Sequence, residues 1–435
     1  MKVLATLLGA LVAASAADDD PVQVLMRVRD RILAHAQRIP NHTCVETIVR
    51  DWYEFAAGTA PRSCDDLLGR RKKARPDALL RLSSTDRIRL DVALTDSHEI
   101  FSWPGAGKFQ DGYINELVPT GAIGSGGFAA SLVAIFEAVD PQFAFEGEKT
   151  VDGRRLFEYS FDVSETNSHY QVRAEKVWLN TGYTGTLLAD PATSDLVQLN
   201  LRTQELPKST NTCEVNTTLN YSSVRLNDGD YILPSLVRER FINHNGSEAA
   251  NAITFSNCRE FRAESTLRFD GSSEHSPASV SAGPNPLDLP ASLPVTIELT
   301  SSIDVDHAGA GDMITGRLAA PILDAQKKNV LIPKGALLEG RLMRVELRYE
   351  KTTDLGIALR WDTVELNGEK RPISLLPDWH TASPKLSEEN SLKGRTMTFE
   401  LPRQTEGRYA SYHFANHSHG VIAAGLLGNW YTTSL

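Results

Sequence analysis

Cysteine is scarce in this chain: four among 435 residues, at positions 44, 64, 213 and 258. None stands in C-x-x-C spacing, which removes the zinc-ribbon and thioredoxin-like classes. Long apolar runs are also missing after the first seventeen residues. The segment 420–427 is apolar but about half of the roughly 18 residues that a membrane-crossing helix needs. A phosphate loop is excluded, because Gly124-Ser125-Gly126-Gly127 has no lysine after it. A nucleophile elbow is excluded too, because Ile123 occupies the place of the first glycine in G-x-S-x-G. Basic residues are outnumbered, 45 Lys and Arg against 55 Asp and Glu, for a net charge of −10. Such a surface has no general reason to seek nucleic acid or an anionic membrane. The local exception, Arg70-Arg71-Lys72-Lys73, reads as a solvated loop. No cofactor and no catalytic residue is predicted.

What is present describes a soluble globular protein, with 41% hydrophobic and 23% charged residues. Its first seventeen residues read as a secretory signal. Lys2 is the positive end, Val3 to Ala14 the apolar stretch, and Ala14-Ser15-Ala16-Ala17 the small residues of a cleavage site before Asp18-Asp19-Asp20. An exported chain with four cysteines is expected to form two disulfides. Pairing within local blocks is the expectation, Cys44 with Cys64 and Cys213 with Cys258.

Pro21 to Ile39 has helical spacing. Leu25, Val28, Ile32, Ala36 and Ile39 share a face, Asp20 is the N-cap and Pro40 the stop. The period then changes to two. Ile88 to Leu94 and Glu99 to Trp103 read as strands, and Phe128 to Phe136 as a short helix. Phe157, Tyr159, Phe161 and Val163 alternate with Glu158, Ser160 and Asp162, after a hairpin turn at Val151-Asp152-Gly153. Val197, Leu199 and Leu201 alternate with Gln198, Asn200 and Arg202, and Val215, Thr217, Leu219 and Tyr221 repeat the pattern. One wet and one buried face mean an antiparallel sheet with the helices covering its concave side. Prolines 277, 284, 286 and 290 among serines mark a linker. A second β block follows, with alternation at Val295 to Leu299, Met343 to Tyr349 and Ile357 to Trp361, and a turn at Asn367-Gly368. The fold class is therefore mainly β (α+β): a curved antiparallel sheet with helices on one face, plus a small β-barrel. The expected units are 1–17 signal, 18–268 sheet domain, 269–292 linker, 293–380 barrel, and 381–435 terminal strands and loops.

Two stretches resemble known families. Gly182-Tyr183-Thr184-Gly185, Asp190-Pro191-Ala192-Thr193-Ser194-Asp195, Tyr231-Ile232-Leu233-Pro234 and Phe255-Ser256-Asn257-Cys258-Arg259 resemble exported bacterial proteins with no assigned activity. The helix followed by a meander is similar in architecture to the half-barrel of LolA/RseB-type lipoprotein carriers, which implies an apolar cleft. Gly311-Asp312-Met313-Ile314-Thr315-Gly316 and Ile332-Pro333-Lys334-Gly335, with Gly340-Arg341, resemble the β-barrel domain of TrbI-type conjugation proteins. The resemblances imply a bacterial host and a periplasmic or secreted location.

For the cleft, Trp103, Phe143, Phe145, Phe157, Tyr159 and Phe161 are the candidate lining residues. His413, His417 and His419 are weak candidate metal ligands, since H-x3-H-x-H would place two histidines one turn apart on a helix. Asp304, Asp306, His307 and Asp312 gather oxygens near glycines without the spacing of a calcium loop. The functional expectation is a non-enzymatic envelope protein that binds a lipid or other apolar ligand. A structural or assembly module that contacts envelope proteins through the barrel is the alternative, and a hydrolase without a recognisable motif is a third.

Overall fold

The computed structural model describes residues 20–433, apart from 57, 75, 96–97, 107–108, 110–113, 119–120, 125–129, 138–141, 169, 175–176, 205, 228, 262–286, 379–396, 401–409 and 417. The expected signal, 1–17, and residues 269–286 of the expected linker lie outside the described residues.

The first lobe contains helices α1 (Pro21–Ala36), α2 (Cys64–Lys73), α3 (Pro76–Leu79), α4 (Ile114–Leu117) and α5 (Ala130–Glu137). Its strands are β1 (His42–Phe55), β2 (Leu80–Thr95), β3 (His98–Ser102), β4 (Gln142–Val151), β5 (Arg154–Val163), β6 (Gln171–Ala174), β7 (Val177–Asn180), β8 (Tyr183–Ala189), β9 (Leu196–Thr203), β10 (Thr212–Leu226), β11 (Gly229–Asn243) and β12 (Glu248–Glu260). Strands β6 and β7 pair only with each other among the described residues. The rest form one antiparallel sheet in the order β4-β5-β8-β9-β10-β11-β12-β1-β2-β3.

Local chemistry accounts for most of these elements. Asp20 caps α1, its carboxylate accepting from Val22 N, and Pro21 opens the helix. Val24 and Val28 are fully buried under it, in one core with Ile135 and Phe136 of α5 and Phe157, Tyr159, Leu187, Leu199 and Leu219 of the sheet. The β4–β5 hairpin turns through Asp152 and Gly153, both at positive φ, as a two-residue type I′ turn requires. Strand β1 was not among the predicted strands. Its buried alternates are His42, Cys44, Glu46, Ile48 and Arg50, so the periodic signal is carried by polar side chains. Arg70 to Lys73 form the end of α2 rather than a loop. Arg70 pairs with Asp66 at 2.7 Å, and Arg71 pairs with the buried Glu248.

The disulfides are Cys44–Cys258 and Cys64–Cys213, which corrects the expected local pairing. The reason is strand order. β1 inserts between β12 and β2, so Cys44 lies across from the end of β12 and far from Cys64 at the start of α2.

The second lobe has β13 (Pro294–Leu299), β14 (Ile303–Asp304), β15 (Met313–Leu318), β16 (Ile322–Leu323), β17 (Val330–Ile332), β18 (Leu337–Tyr349), β19 (Thr353–Leu366), β20 (Glu369–Pro372), β21 (Leu375–Pro377), β22 (Met397–Glu400), β23 (Ala410–Phe414), β24 (Val421–Ile422) and β25 (Leu427–Thr432). Pairings run β13-β15-β18-β19-β20. The chain bends after Pro372 into β21, which pairs with β25, and β25 returns to β13. The ring is closed, and it needs the terminal strand to close. Residues 287–292, expected in the linker, lie on this lobe: Leu287 and Leu289 pack against its core, and Ser292 N donates to Thr432 O at 2.8 Å. The core inside is Val295, Ile297, Leu338, Ile357, Trp361 and Trp430, with others. Gly340 permits this packing, because a Cβ there would sit 2.1 Å from Arg360 O and 2.8 Å from Trp361 Cε3.

The lobes meet along β2. Ser84, Thr85 and Asp86 pair with Arg348, Leu347 and Glu346 of β18. Arg87 Nη1 donates to Ala308 O at 3.0 Å, Arg89 pairs with Asp312, and Arg341 Nη1 donates to Pro104 O at 2.7 Å. The Gly311-Asp312 motif therefore sits at this junction.

Candidate functional site

The last turns of α1 face α5, the β8–β9 turn and the start of β11. Between them is a groove with Ile32, Ala36, Ile39, Leu132, Leu196 and Ile232 on its wall and Arg31, His35 and Asp195 at its rim. Its free volume is about 30 Å³, room for about two water molecules. The rim is organised by the Asp190 to Asp195 turn. Asp190 Oδ1 accepts from Ala192 N at 2.9 Å, and Ser194 adopts a φ of 59°. Arg31 Nη2 reaches Asp195 at 2.8 Å, while Arg27 Nε donates to Ser194 Oγ at 3.3 Å. Burial, and then the charges of Arg31 and Arg38, hold His35 below its usual pKa.

Of the aromatic candidates, Phe157, Tyr159 and Phe161 are buried in the sheet core, Phe143 and Trp103 are half-buried against it, and Phe145 is exposed. The structure brings five of them together on the β4–β5 hairpin: Phe143 to Phe161 is 5.7 Å, Phe145 to Phe157 5.1 Å and Phe145 to Tyr159 5.5 Å between ring centres. Trp103 stands apart at the junction, near Gly311. The groove wall is made of other residues. Tyr159 does touch α1, since its hydroxyl donates to Pro21 O at 2.7 Å. Ile32, Ala36 and Ile39 were legible as a helical face. Leu132, Leu196 and Ile232 join them only through the fold.

Among the described residues, each histidine of the second lobe is paired with an aspartate, and Asp312 with Arg89. His413 Nε2 lies 3.3 Å from Asp354, His419 Nδ1 2.8 Å from Asp306, and His307 Nδ1 2.9 Å from Asp304. His417 lies outside the described residues. Among the described residues, the group of potential ligands close enough for a metal is Cys64, Cys213 and His244, and its two sulfurs are bonded to each other.

Sequence reasoning missed a polar row inside the sheet core. Asp86, Arg50, Asn251, Glu239 and Thr217 stand directly opposite one another across β2, β1, β12, β11 and β10. Arg50 holds Asp86 through two hydrogen bonds of 2.9 and 2.6 Å. Asn251 Nδ2 donates to Glu239 Oε2 and to Ala122 O, both at 3.2 Å. Gly124 N also donates to Glu239, and a Cβ on Gly124 would overlap that carboxyl at 2.0 Å. The glycine-rich segment thus closes over the acid, which is why it carries no side chain there. Two residues along β1 from the Ile48 that precedes Arg50, Glu46 is wholly buried, and among the described residues neither of its oxygens meets a donor. Burial, with Glu99 and Glu239 nearby, raises its pKa well above the carboxylate range. Burial likewise pushes Glu239 up to about 7.

A carboxyl whose folded pKa exceeds its unfolded value binds its proton more tightly in the native state. Its contribution is complete below the unfolded pKa and is lost as pH rises through the folded one. For Glu239 the window runs from about pH 4.5 to 7. Stability should fall across it by about 3 kcal/mol from this residue, at 1.36 kcal/mol per unit. Urea unfolding at pH 5 and pH 8 is expected to show the loss, and Glu239→Gln to reduce it by this residue's share, with Glu46 still contributing in the same direction. An unchanged pH slope in the variant would refute the assignment.

These features define a mainly β, disulfide-bonded protein, a curved sheet under helices joined to a closed barrel, suited to an oxidising extracytoplasmic compartment. Among the described residues no helix is long and apolar enough to cross a membrane. No protein-family model and no curated protein matches the chain. Solved structures do. A DUF1329 family protein from Desulfovibrio piger is 9% identical, with a TM-score of 0.27 over 57% of this chain and 95% of that one. An outer membrane lipoprotein-sorting protein domain from Vibrio parahaemolyticus is 12% identical, with a TM-score of 0.26 over 54% of this chain and 91% of that one. The likeness of Gly311 to Arg341 to the TrbI-type barrel gains no support from them.

Proposed function

We propose that this is a non-enzymatic extracytoplasmic binding protein that takes an acyl chain or similar apolar ligand beneath α1. The observation that carries the reading is the apolar groove between α1, α5 and the sheet, closed at one rim by the Arg31–Asp195 pair. Its closed volume has no room for a chain, so uptake requires α1 to lift. Such a motion would break the Arg31–Asp195 pair, the Arg27–Ser194 bond and the Tyr159 bond to Pro21 O. Only Val24 and Val28 are fully buried on it, and Arg31 is half exposed. Lifting α1 would uncover the aromatic strip of β5 as a continuous apolar floor. Arg31 would then meet an anionic headgroup in place of Asp195, a charge-assisted contact of the same kind.

Native mass spectrometry of the protein purified without detergent tests this. The wild type is expected to carry lipid, and Ala36→Trp, which fills the groove, to carry at least tenfold less while keeping its circular dichroism. A wild type that stays empty after exposure to lipid vesicles would end the proposal.

A further inference from the structure

The opposite face of the same sheet carries a second feature, independent of the apolar groove. A groove of about 630 Å³ crosses β4, β5, β8, β9 and β10 on the side away from the helices. Its side chains are the wet alternates of the strands. Asp162, Thr184, Arg202 and Asn216 form one row, and Ser160, Thr186, Asn200 and Thr218 the next. An exposed sheet face in a chain with 23% charged residues would ordinarily carry lysines and glutamates, which are charged and well hydrated. The groove wall itself has neither, and the two glutamates beside it are engaged by wall side chains: Ser160 Oγ donates to Glu146, and Asn216 Nδ2 donates to Glu214 Oε1 at 2.8 Å.

Part of the wall is held in place by its own hydrogen bonds. Asn200 Nδ2 donates to Thr186 Oγ1 at 3.1 Å and to Gln198 Oε1 at 3.2 Å, while Thr218 Oγ1 donates to Asn200 Oδ1 at 2.9 Å. Gln198 Nε2 donates on to Asn220 Oδ1 at 2.8 Å. Such a network fixes the amide planes before any ligand arrives. Four other groove side chains, Gln142, Asp162, Thr184 and Arg202, have no side-chain hydrogen bond or ion pair among the described residues. Asp162 and Arg202 do not neutralise each other, because Thr184 stands between them and two strand spacings are roughly 10 Å. The groove therefore offers donors and acceptors of both kinds, some held by the network and some unpaired, along five strands, roughly 19 Å.

We infer that this groove binds a neutral oligosaccharide. The ligand class follows from the complementarity. Hydroxyl groups both donate and accept, as amides and threonines require, and an uncharged chain can meet a wall that carries one unpaired acid and one unpaired base. A polyanion would meet one arginine and one aspartate, and an acyl chain would leave the unpaired polar groups without partners at a cost of about 1–3 kcal/mol each.

Titration calorimetry of the full chain with chitotetraose, cellotetraose and maltotetraose tests the inference, with Asn200→Ala and Thr184→Lys as variants and circular dichroism as the fold check. Millimolar or tighter binding of at least one sugar is expected, weakened tenfold or more by a variant that keeps its spectrum. Ala36→Trp, on the other face, should leave it unchanged, so failure here and failure of the lipid reading are separate results. No heat with any of the three sugars, or binding that survives both variants, would overturn it. Should both variants misfold, loss of the Asn200 and Gln198 side-chain amide shifts on sugar addition to the wild type decides: perturbed amides support the site, unmoved amides refute it.

Discussion

Ending the chain at Ala424 is expected to abolish the folded barrel, not merely to weaken it. The removed strand, β25, pairs with β13 from Pro294–Tyr431 to Glu298–Leu427 and with β21 from Leu375–Thr432 to Pro377–Trp430. It also carries Trp430, which is 1% exposed at the centre of the barrel core, and Leu426 goes with it. Losing a buried tryptophan alone costs about 3–5 kcal/mol. Two open ladders add their unpaired backbone groups, against a typical total stability of about 5–15 kcal/mol. The first lobe has its own core, so it should survive. Limited proteolysis of the shortened chain is expected to digest residues beyond 293 and leave the disulfide-bonded lobe. Equal protease resistance before and after truncation would show that the barrel closes without β25.

Breaking Cys44–Cys258 should be among the costliest single changes in the first lobe. The bond spans 214 residues, but Cys64–Cys213, spanning 149, lies nested inside it. With the inner bond intact, the free loop is only the chain from Cys44 to Cys64 and from Cys213 to Cys258. That is about 65 residues, which gives on the order of 4 kcal/mol in the chain-entropy account. Cys44→Ala, Cys258→Ala and the double variant should each lose this amount, because either substitution removes the whole bond. Urea midpoints check it. Additive losses in the double variant would mean that the two cysteines are not partners, and would restore the local pairing.

How much of this was readable beforehand depended on whether a residue's role was settled nearby. Asp20 and Pro21 announce α1, and Asp152-Gly153 and Asn367-Gly368 announce hairpins, because a cap or a positive φ is a property of two or three residues. β5 was legible from Phe157, Tyr159 and Phe161 alone. β1 was not, since the face it buries holds His42, Glu46 and Arg50. Arg50 is inside because Asp86 and Asn251 stand across from it, with Glu239 one strand further, on strands up to about two hundred residues away, while Glu46 lies opposite Leu90 and Phe255. β25 is hard to read from sequence for a related reason: it is short, and only its two partners make it a strand of the ring.

The sequence by itself determined that alternate residues are buried, where the chain turns, and that the protein is mainly β with helical cover, since each of these is fixed by the geometry of a pleated strand or a capped turn. Only the tertiary structure decided which cysteines join, which strand closes the barrel, that Leu132, Leu196 and Ile232 share a groove with α1, and that Thr184, Asn200 and Thr218 face one polar channel. Those are relations between distant segments, and strand order, which sets them, is an outcome of the whole core rather than of any local run of residues.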